Sequence, residues 1–359
     1  MSAPVISAPP SLAARPVSSH RGRARLVGAL VIGLLLLLAV TASIAVGAHT
    51  LSISEVWNAL WATKNANSSD AVGIVQDLRL PRTLLGIVAG LALGAAGALT
   101  QGHTRNPMAE PGLLGVNAGA AAAVVAGSYL LGISDPLQFM MFGLLGAAAA
   151  VAVVFAISVL AGRMAGTAGA SPLTLVLAGV GINAMLLAVI SAIVLTDTAS
   201  MDTWRFWSVG AISGRGFDVV WAATPFVAVG LVLAVAGGFS LNLLSLGDDA
   251  TTALGAKVGR VRMVGVLTIA LLAGAATAAC GPIVFLGLAA PHIARMIVGP
   301  DYRWIVPYSA VLGAVLLLAA DVLGRVLGGA GEVQAGVVLA VLGAPIFIGL
   351  VRSRRLVSV

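Results

Sequence analysis

Charge is what this 359-residue chain has least of: Asp, Glu, Lys and Arg together make up 9% of it, against roughly a quarter in soluble domains. Apolar residues reach 59%, and the mean hydropathy is +1.06. A water-soluble fold cannot hide that much apolar surface behind so few ionic groups, so a lipid bilayer must act as the solvent. Cysteine is limited to Cys280, in an apolar run, which excludes a disulfide framework and a cysteine-based metal site. Lysine occurs only at Lys64 and Lys257, behind Thr63 and Ala256. A phosphate-cradling loop needs lysine directly after glycine and before Ser or Thr, so no ATPase is encoded. His103 and His292 stand near the ends of apolar runs without matching ligands, so no metal or other cofactor is expected on the chain. The net charge of +7 is not gathered on a basic face with interleaved aromatics, which argues against a nucleic-acid partner.

What the chain has instead is apolar runs of spanning length, about 17–25 residues each. The first, Leu26–Ala48, follows a basic tail over residues 1–25 whose Pro, Ser, Ala and Arg content predicts disorder. It is longer than the apolar part of a signal peptide, so a retained helix is expected. Further runs lie at Thr83–Gly102, Leu113–Gly132, Phe139–Ala161, Leu173–Thr196 and Val219–Leu241. The rest lie at Met263–Cys280, Ile283–Val298, Trp304–Leu323 and Ala335–Val351. The expectation is an all-α integral membrane protein, with residues 26–359 forming one transmembrane domain of about ten helices. Placing both termini in the cytoplasm puts 14 of the 20 basic residues inside, as the positive-inside rule prefers. That assignment leaves Arg79, Arg82 and Arg325 outside.

Two outside segments read as short interfacial helices: Ser54–Trp61, with Ser54 as its cap, and Asp202–Trp207. Gly86, Gly90 and Gly94 recur every four residues and give one helix a smooth face for close packing. Asp321 is the most buried-looking acid; with no relay partner nearby, a pairing with Arg325 four residues on is expected.

Six segments then follow one another in a fixed order. They are LRLPRTLLGIVAGLALGAAGALTQGHTRNPMAEPGLLGVNAGA from Leu78, LAGVGINA from Leu177 and LNLLSLGDDATTALG from Leu241. After these come GPIVFLGLAAPHIARMIVGPDYR from Gly281, LLLAADVLGR from Leu316 and GVVLAVLGAPIFIGLVR from Gly336. This ordered set resembles the iron-siderophore, haem and cobalamin permease family of bacterial ABC importers, over nearly everything after the first helix. The resemblance implies a multi-pass protein of the bacterial cytoplasmic (inner) membrane, surrounded by lipid. It implies a dimer with a second permease copy or a homologue, and two ATP-binding subunits carrying ATP and Mg. An extracytoplasmic substrate-binding protein would deliver ferric siderophore, haem or cobalamin. One departure stands out: Glu332-Val333-Gln334 replaces the family's usual acidic residue and Leu-Pro.

The same resemblance assigns candidate sites. Gly247, Asp248, Asp249, Ala250, Leu254 and Gly255 match the short coupling helices that sit in a groove of the ATPase. From the residues alone, the segment reads as a solvated turn or a short helix capped by Asp248 or Asp249, with Gly255 closing it. Arg79, Arg82 and Arg325 match arginines that hold carboxylates of the binding protein, a task suited to a planar fork; the other reading is snorkelling from helix ends. Ser171 and Thr174 correspond to the cytoplasmic gate. Asn183 faces the pathway or makes an interhelical hydrogen bond. A secondary, ion-coupled transporter is the rival function, but it would need paired broken helices, and the sequence has no such internal symmetry.

Overall fold

A computed structural model describes residues 18–47, 49–64, 69–164, 170–328 and 331–352. Residues 1–17 of the expected tail lie outside these, as do Arg354 and Arg355. In chain order the helices are α1 (Ser18–Ala45), α2 (Ile53–Trp61), α3 (Asp70–Gly73), α4 (Leu80–Thr104), α5 (Val116–Leu131), α6 (Pro136–Met164) and α7 (Pro172–Val194). There follow α8 (Thr198–Ser208), α9 (Phe217–Ser245), α10 (Asp248–Ala253), α11 (Val258–Cys280), α12 (Leu286–Val298), α13 (Tyr302–Gly328) and α14 (Ala335–Arg352). A π-helical turn, Ile74–Arg79, joins α3 to α4, and a 3-10 turn, Pro111–Leu114, precedes α5. No strand occurs among the described residues. Only helices and closed barrels satisfy every backbone group in lipid, so an all-α chain is what the composition demands.

Each of the ten expected apolar runs lies on a helix, and among the described residues seven helical stretches are long and apolar enough to cross a membrane. α5 and α12 are shorter, at 16 and 13 residues. The third and eighth runs begin later than expected, because Pro111–Leu114 is a 3-10 turn and Gly281–Phe285 is irregular. Three other boundaries move. Ser18–Arg25, expected in the disordered tail, forms the opening turns of α1. α2 is capped by Ser52 rather than Ser54, because Ser52 and Glu55 close a reciprocal capping box. α9 runs on to Ser245, which shortens the loop before α11.

α4 and α11 form the centre: 78% of each apolar window is buried, against 11% for α1 and 17% for α7. The glycine stripe explains how α4 gets there. A Cβ on Gly90 would lie 2.4 Å from the Cα of Ala314, and one on Gly94 would lie 2.0 Å from the carbonyl oxygen of Ser309. Gly97 continues the contact onto α12, where a Cβ would sit 1.9 Å from the carbonyl oxygen of Gly287. The helices touch backbone to backbone, the arrangement that dispersion favours where water offers no driving force.

The half-length helices leave backbone ends inside the apolar body, and polar side chains meet them. Glu110 accepts from the amide of Phe285 at the start of α12, 3.4 Å away, and Thr277 donates to Asn117 at 3.1 Å. At one end of the bundle, Asp301 accepts from the Asn242 amide at 2.7 Å and from Arg303. Hydrogen bonds from Arg303 chiefly hold this loop carboxyl down, at about 2, against the opposing effect of its partial burial.

Substitution at the tightest approach is the direct test of this packing. Gly97→Val must displace backbone rather than a flexible side chain, and is expected to cost about 3 kcal/mol or prevent folding. Gly237→Ala, with nothing within 4 Å of the new methyl, should be neutral. Thermal unfolding of the two variants in detergent distinguishes them; equal midpoints would contradict the packing.

Candidate functional site

The predicted arginines and the predicted Gly247–Gly255 segment fall into two clusters at opposite ends of α4, and Ser171, Thr174 and Asn183 lie apart on α7. Arg82 and Arg105 are about 35 Å apart along the helix at 1.5 Å per residue.

The first cluster is an ionic knot. The Asp321 carboxylate accepts from Arg82 Nε at 3.0 and 3.1 Å and from Arg82 Nη2 at 2.8 Å. It also accepts from Arg325 Nε at 3.0 Å and from Arg325 Nη2. Arg82 Nη1 reaches on to Glu332, 2.7 Å away. Asp321 is 1% exposed, Arg325 3% and Arg82 9%. The expected pairing of Asp321 with Arg325 is made, and Arg82 shares it.

Arg79 and Arg325 have a second task. Helix α1 has no basic residue in its last turn, where the final carbonyls lack intrahelical donors. Arg325 Nη1 donates to the carbonyls of Ser43 and Val46, at 2.7 and 2.6 Å. Arg79 Nη1 donates to those of Ile44 and Ala45, both at 2.8 Å, and its Nη2 to that of His49 at 2.6 Å. Two arginines from other elements therefore close the α1 C-terminus and oppose its negative dipole end. All three guanidiniums, of Arg79, Arg82 and Arg325, are engaged within the protein, because a buried cation must be matched where it lies. A crevice of about 100 Å³ lined by Gly47, His49, Leu78, the three arginines and Glu332 remains beside them.

The second cluster holds α10. Gly247, with φ +105, is its N-cap, and Gly255, with φ +83, follows its C-cap Leu254. Neither Asp248 nor Asp249 caps the helix. Asp248 instead accepts from Arg105 Nη2 at 2.5 Å and from Arg262 Nη2 at 2.9 Å. Two guanidiniums outcompete backbone amides for the carboxylate because charge-assisted bonds are the stronger ones. Arg105 Nε also donates to the Leu244 carbonyl at 2.9 Å, and Thr251, fully buried, donates to Leu243 and Gly247. The opposite side of α10 is outward: Asp249, Thr252 and Ala253 are exposed, and Leu246 and Leu254 are 62% and 61% exposed.

Ser171 and Thr174 do not precede α7 together. Ser171 is the N-cap and Thr174 lies in the first turn, joined by a reciprocal box with Thr174 N donating to Ser171 Oγ at 3.1 Å. Asn183 makes the interhelical bond, donating to the Gly112 carbonyl at 3.2 Å. Along the rest of α7, Leu173, Leu177, Val180, Met185, Leu187 and Val189 are exposed large apolar side chains.

The partners of these groups escaped the sequence reading. Arg105 and Arg262 entered it only as orientation charges, and Glu332 only as part of a departure from a motif. The one signal available was arithmetic: a chain poor in charge that holds Asp248 and Glu332 near its helix ends must pair them.

A model of the FecCD transport family matches residues 35–353. The ferric enterobactin transport system permease protein FepD of Escherichia coli is 43% identical over 322 residues, covering 89% of this chain and 93% of FepD. The Fe(3+)-citrate import system permease protein YfmD of Bacillus subtilis is 36% identical over 338 residues, covering 94% of this chain and 98% of YfmD. A solved structure assigned to the metal-chelate type of ABC transporter, in an inward-facing conformation, superposes with TM-score 0.78 and 25% identity. It covers 90% of this chain and 98% of that one.

The knot at Asp321 makes a sharp expectation. Asp321→Ala strands two buried guanidiniums and should cost about 3–5 kcal/mol. Glu332→Gln, at a side chain 25% exposed, should cost far less. Unfolding in detergent measures both; an Asp321→Ala variant as stable as Glu332→Gln would contradict the assignment.

Proposed function

The chain belongs to the FecCD transport family, and from that premise we propose that it is the membrane-spanning permease subunit of an ATP-driven importer of ferric siderophore. Haem and cobalamin are the alternative cargoes. The cargo follows the ferric enterobactin and ferric citrate permeases it resembles at 43% and 36% identity. In this reading all ten apolar helices cross the bacterial cytoplasmic membrane and both termini are cytoplasmic. Two ATP-binding subunits, holding ATP and Mg, supply hydrolysis. A second permease copy or a homologue completes the pathway, and an extracytoplasmic binding protein delivers the chelate.

One observation carries the reading: α10 is tied to the body through Asp248 and Thr251, while the leucines that flank it, Leu246 and Leu254, are exposed. A six-residue helix at the end of a bundle gains nothing by exposing Leu246 and Leu254 to water. A protein partner that buries them accounts for the exposure, and Gly247, Asp248, Asp249, Ala250, Leu254 and Gly255 form the proposed ATPase-coupling element. Because Asp248 is tied to Arg105 and Arg262, force on α10 would reach α4 and α11 directly.

At the opposite end, the binding protein is proposed to dock over Arg79, Arg82 and Arg325. The cluster sets three guanidiniums against the carboxylates of Asp321 and Glu332, and the planar fork of arginine is the group suited to gripping a partner's carboxylates. Arg79 and Arg325 serve there as the fixed platform, and Arg82, whose second arm holds the partly exposed Glu332, is the fork that an incoming carboxylate can share. Ser171, Thr174 and Asn183 set the start and depth of α7, whose uncovered apolar face suits the second permease or the pathway.

Reconstitution tests the reading. In proteoliposomes, uptake of a radiolabelled ferric chelate should require this chain, the ATPase subunits, internal ATP and the binding protein together. Uptake by the chain alone, driven by a proton or sodium gradient, would contradict it and favour an ion-coupled transporter.

A further inference from the structure

Arg262 is bound to two separate elements at once. Its Nη2 donates to Asp248 on α10, 2.9 Å away, and its Nη1 donates to the carbonyl of Ala170, 2.5 Å away. Ala170 is the residue directly before Ser171, the N-cap of α7. α10 itself packs on α9 and α11, so the guanidinium of Arg262 is its hydrogen-bonded connection to the start of α7.

The two ion pairs of Asp248 are unequal. The Arg105 side chain is 31% exposed and that of Arg262 is 6% exposed. Water can replace Asp248 at Arg105 with little loss, as at surface pairs generally. At Arg262 it cannot, because breaking a buried pair leaves an uncompensated charge. When α10 moves, the Arg105 contact is the one that yields and the Arg262 contact is the one that holds. The guanidinium is planar and its two arms are fixed relative to each other, so a shift of Asp248 is passed to the Ala170 carbonyl as a rotation of the whole group.

α7 is able to respond. Only 17% of its apolar stretch is buried, and its close backbone approach, Gly179 against the carbonyl of Leu113, lies about two turns past Ser171, so the first turn can shift about that contact. Its side-chain ties to the bundle are few: Ala170 to Arg262 at its start, and Asn183 to the Gly112 carbonyl farther along. We infer that Arg262 is the positioning residue that passes displacement of α10 to the first turn of α7, where Ser171 and Thr174 lie. The inference rests on the reading of α10 as the ATPase-facing helix.

The test uses the assembled transporter in proteoliposomes and compares Arg262→Lys and Arg262→Gln with Arg105→Gln. Lysine keeps the charge but cannot hold both sites in one rigid fork; Arg105→Gln removes a charge from the same carboxylate without touching α7. An environment-sensitive dye is placed on a cysteine at the exposed Leu173, in a Cys280→Ala background, and in separate samples at the exposed Thr252. Both Arg262 variants are expected to bind the ATPase subunits and hydrolyse ATP within about twofold of the parent. Chelate moved per ATP should fall at least about fivefold, and the dye at position 173 should stop responding to nucleotide. Arg105→Gln should keep both. Parent-like coupling in the Arg262 variants, or an equal loss in Arg105→Gln, would overturn the relay. So would loss of ATPase binding in the Arg262 variants, which would make Arg262 a docking residue. If the dye at position 252 does not sense addition of the ATPase to the parent permease, the reading of α10 fails instead. If Arg262→Lys is unstable, Arg262→Gln and Arg105→Gln decide the matter.

Discussion

One carboxylate, that of Asp321, holds two buried guanidiniums in the end of the bundle where α1, α4 and α13 meet. An unmatched cation in an apolar interior costs more than most packing contacts can return, so the geometry at this end is over-determined. Arg325 is oriented by Asp321 on one edge and by the α1 carbonyls on the other. Arg82 is oriented by Asp321 and Glu332. The position of α1, which is otherwise a peripheral helix with an 11% buried window, follows from these bonds and from Arg79.

α4 connects that end to the other. Its glycines admit the backbones of α13 and α12 to contact distance, and no slack remains for the helix to tilt independently of them. At its far end Arg105, in a left-handed C-cap conformation with φ 49, turns its side chain onto Asp248 and Leu244. The body is thus stiff along its axis, while α10 is attached by a few polar contacts and α7 leaves most of its large apolar side chains uncovered. A transporter needs that division: a rigid frame that keeps two docking faces in register, and lightly held elements that change position between states.

How much of this was legible in the sequence depends on separation along the chain. Asp321 and Arg325, four residues apart on one helix, were readable as a pair, as was the glycine stripe at Gly86, Gly90 and Gly94. The ten apolar runs were readable because lipid imposes a length. The capping box of α2 is present in the sequence as Ser52 and Glu55, three apart, two residues before the expected cap Ser54. The pairings of Arg82 with Glu332 and of Arg105 with Asp248 span 250 and 143 residues. They exist because close packing on α4 brings distant segments together, and spacing in sequence carries no trace of that. For the same reason the sequence tells that Arg79, Arg82 and Arg325 are present, and only the fold tells what their forks already hold.

On the proposed reading, the central claim is that the α10 end meets the ATPase while the arginine end meets the binding protein. Site-specific photo-cross-linking in the assembled transporter tests it most directly, with a probe at the exposed Ala253 on α10 and another at the exposed Trp61 of α2, the helix that Gln76 ties to the turn carrying Arg79. The expected result is an adduct with the ATP-binding subunit from position 253 only, and with the binding protein from position 61 only. The reverse pattern, or capture of the ATP-binding subunit from position 61, would contradict the account.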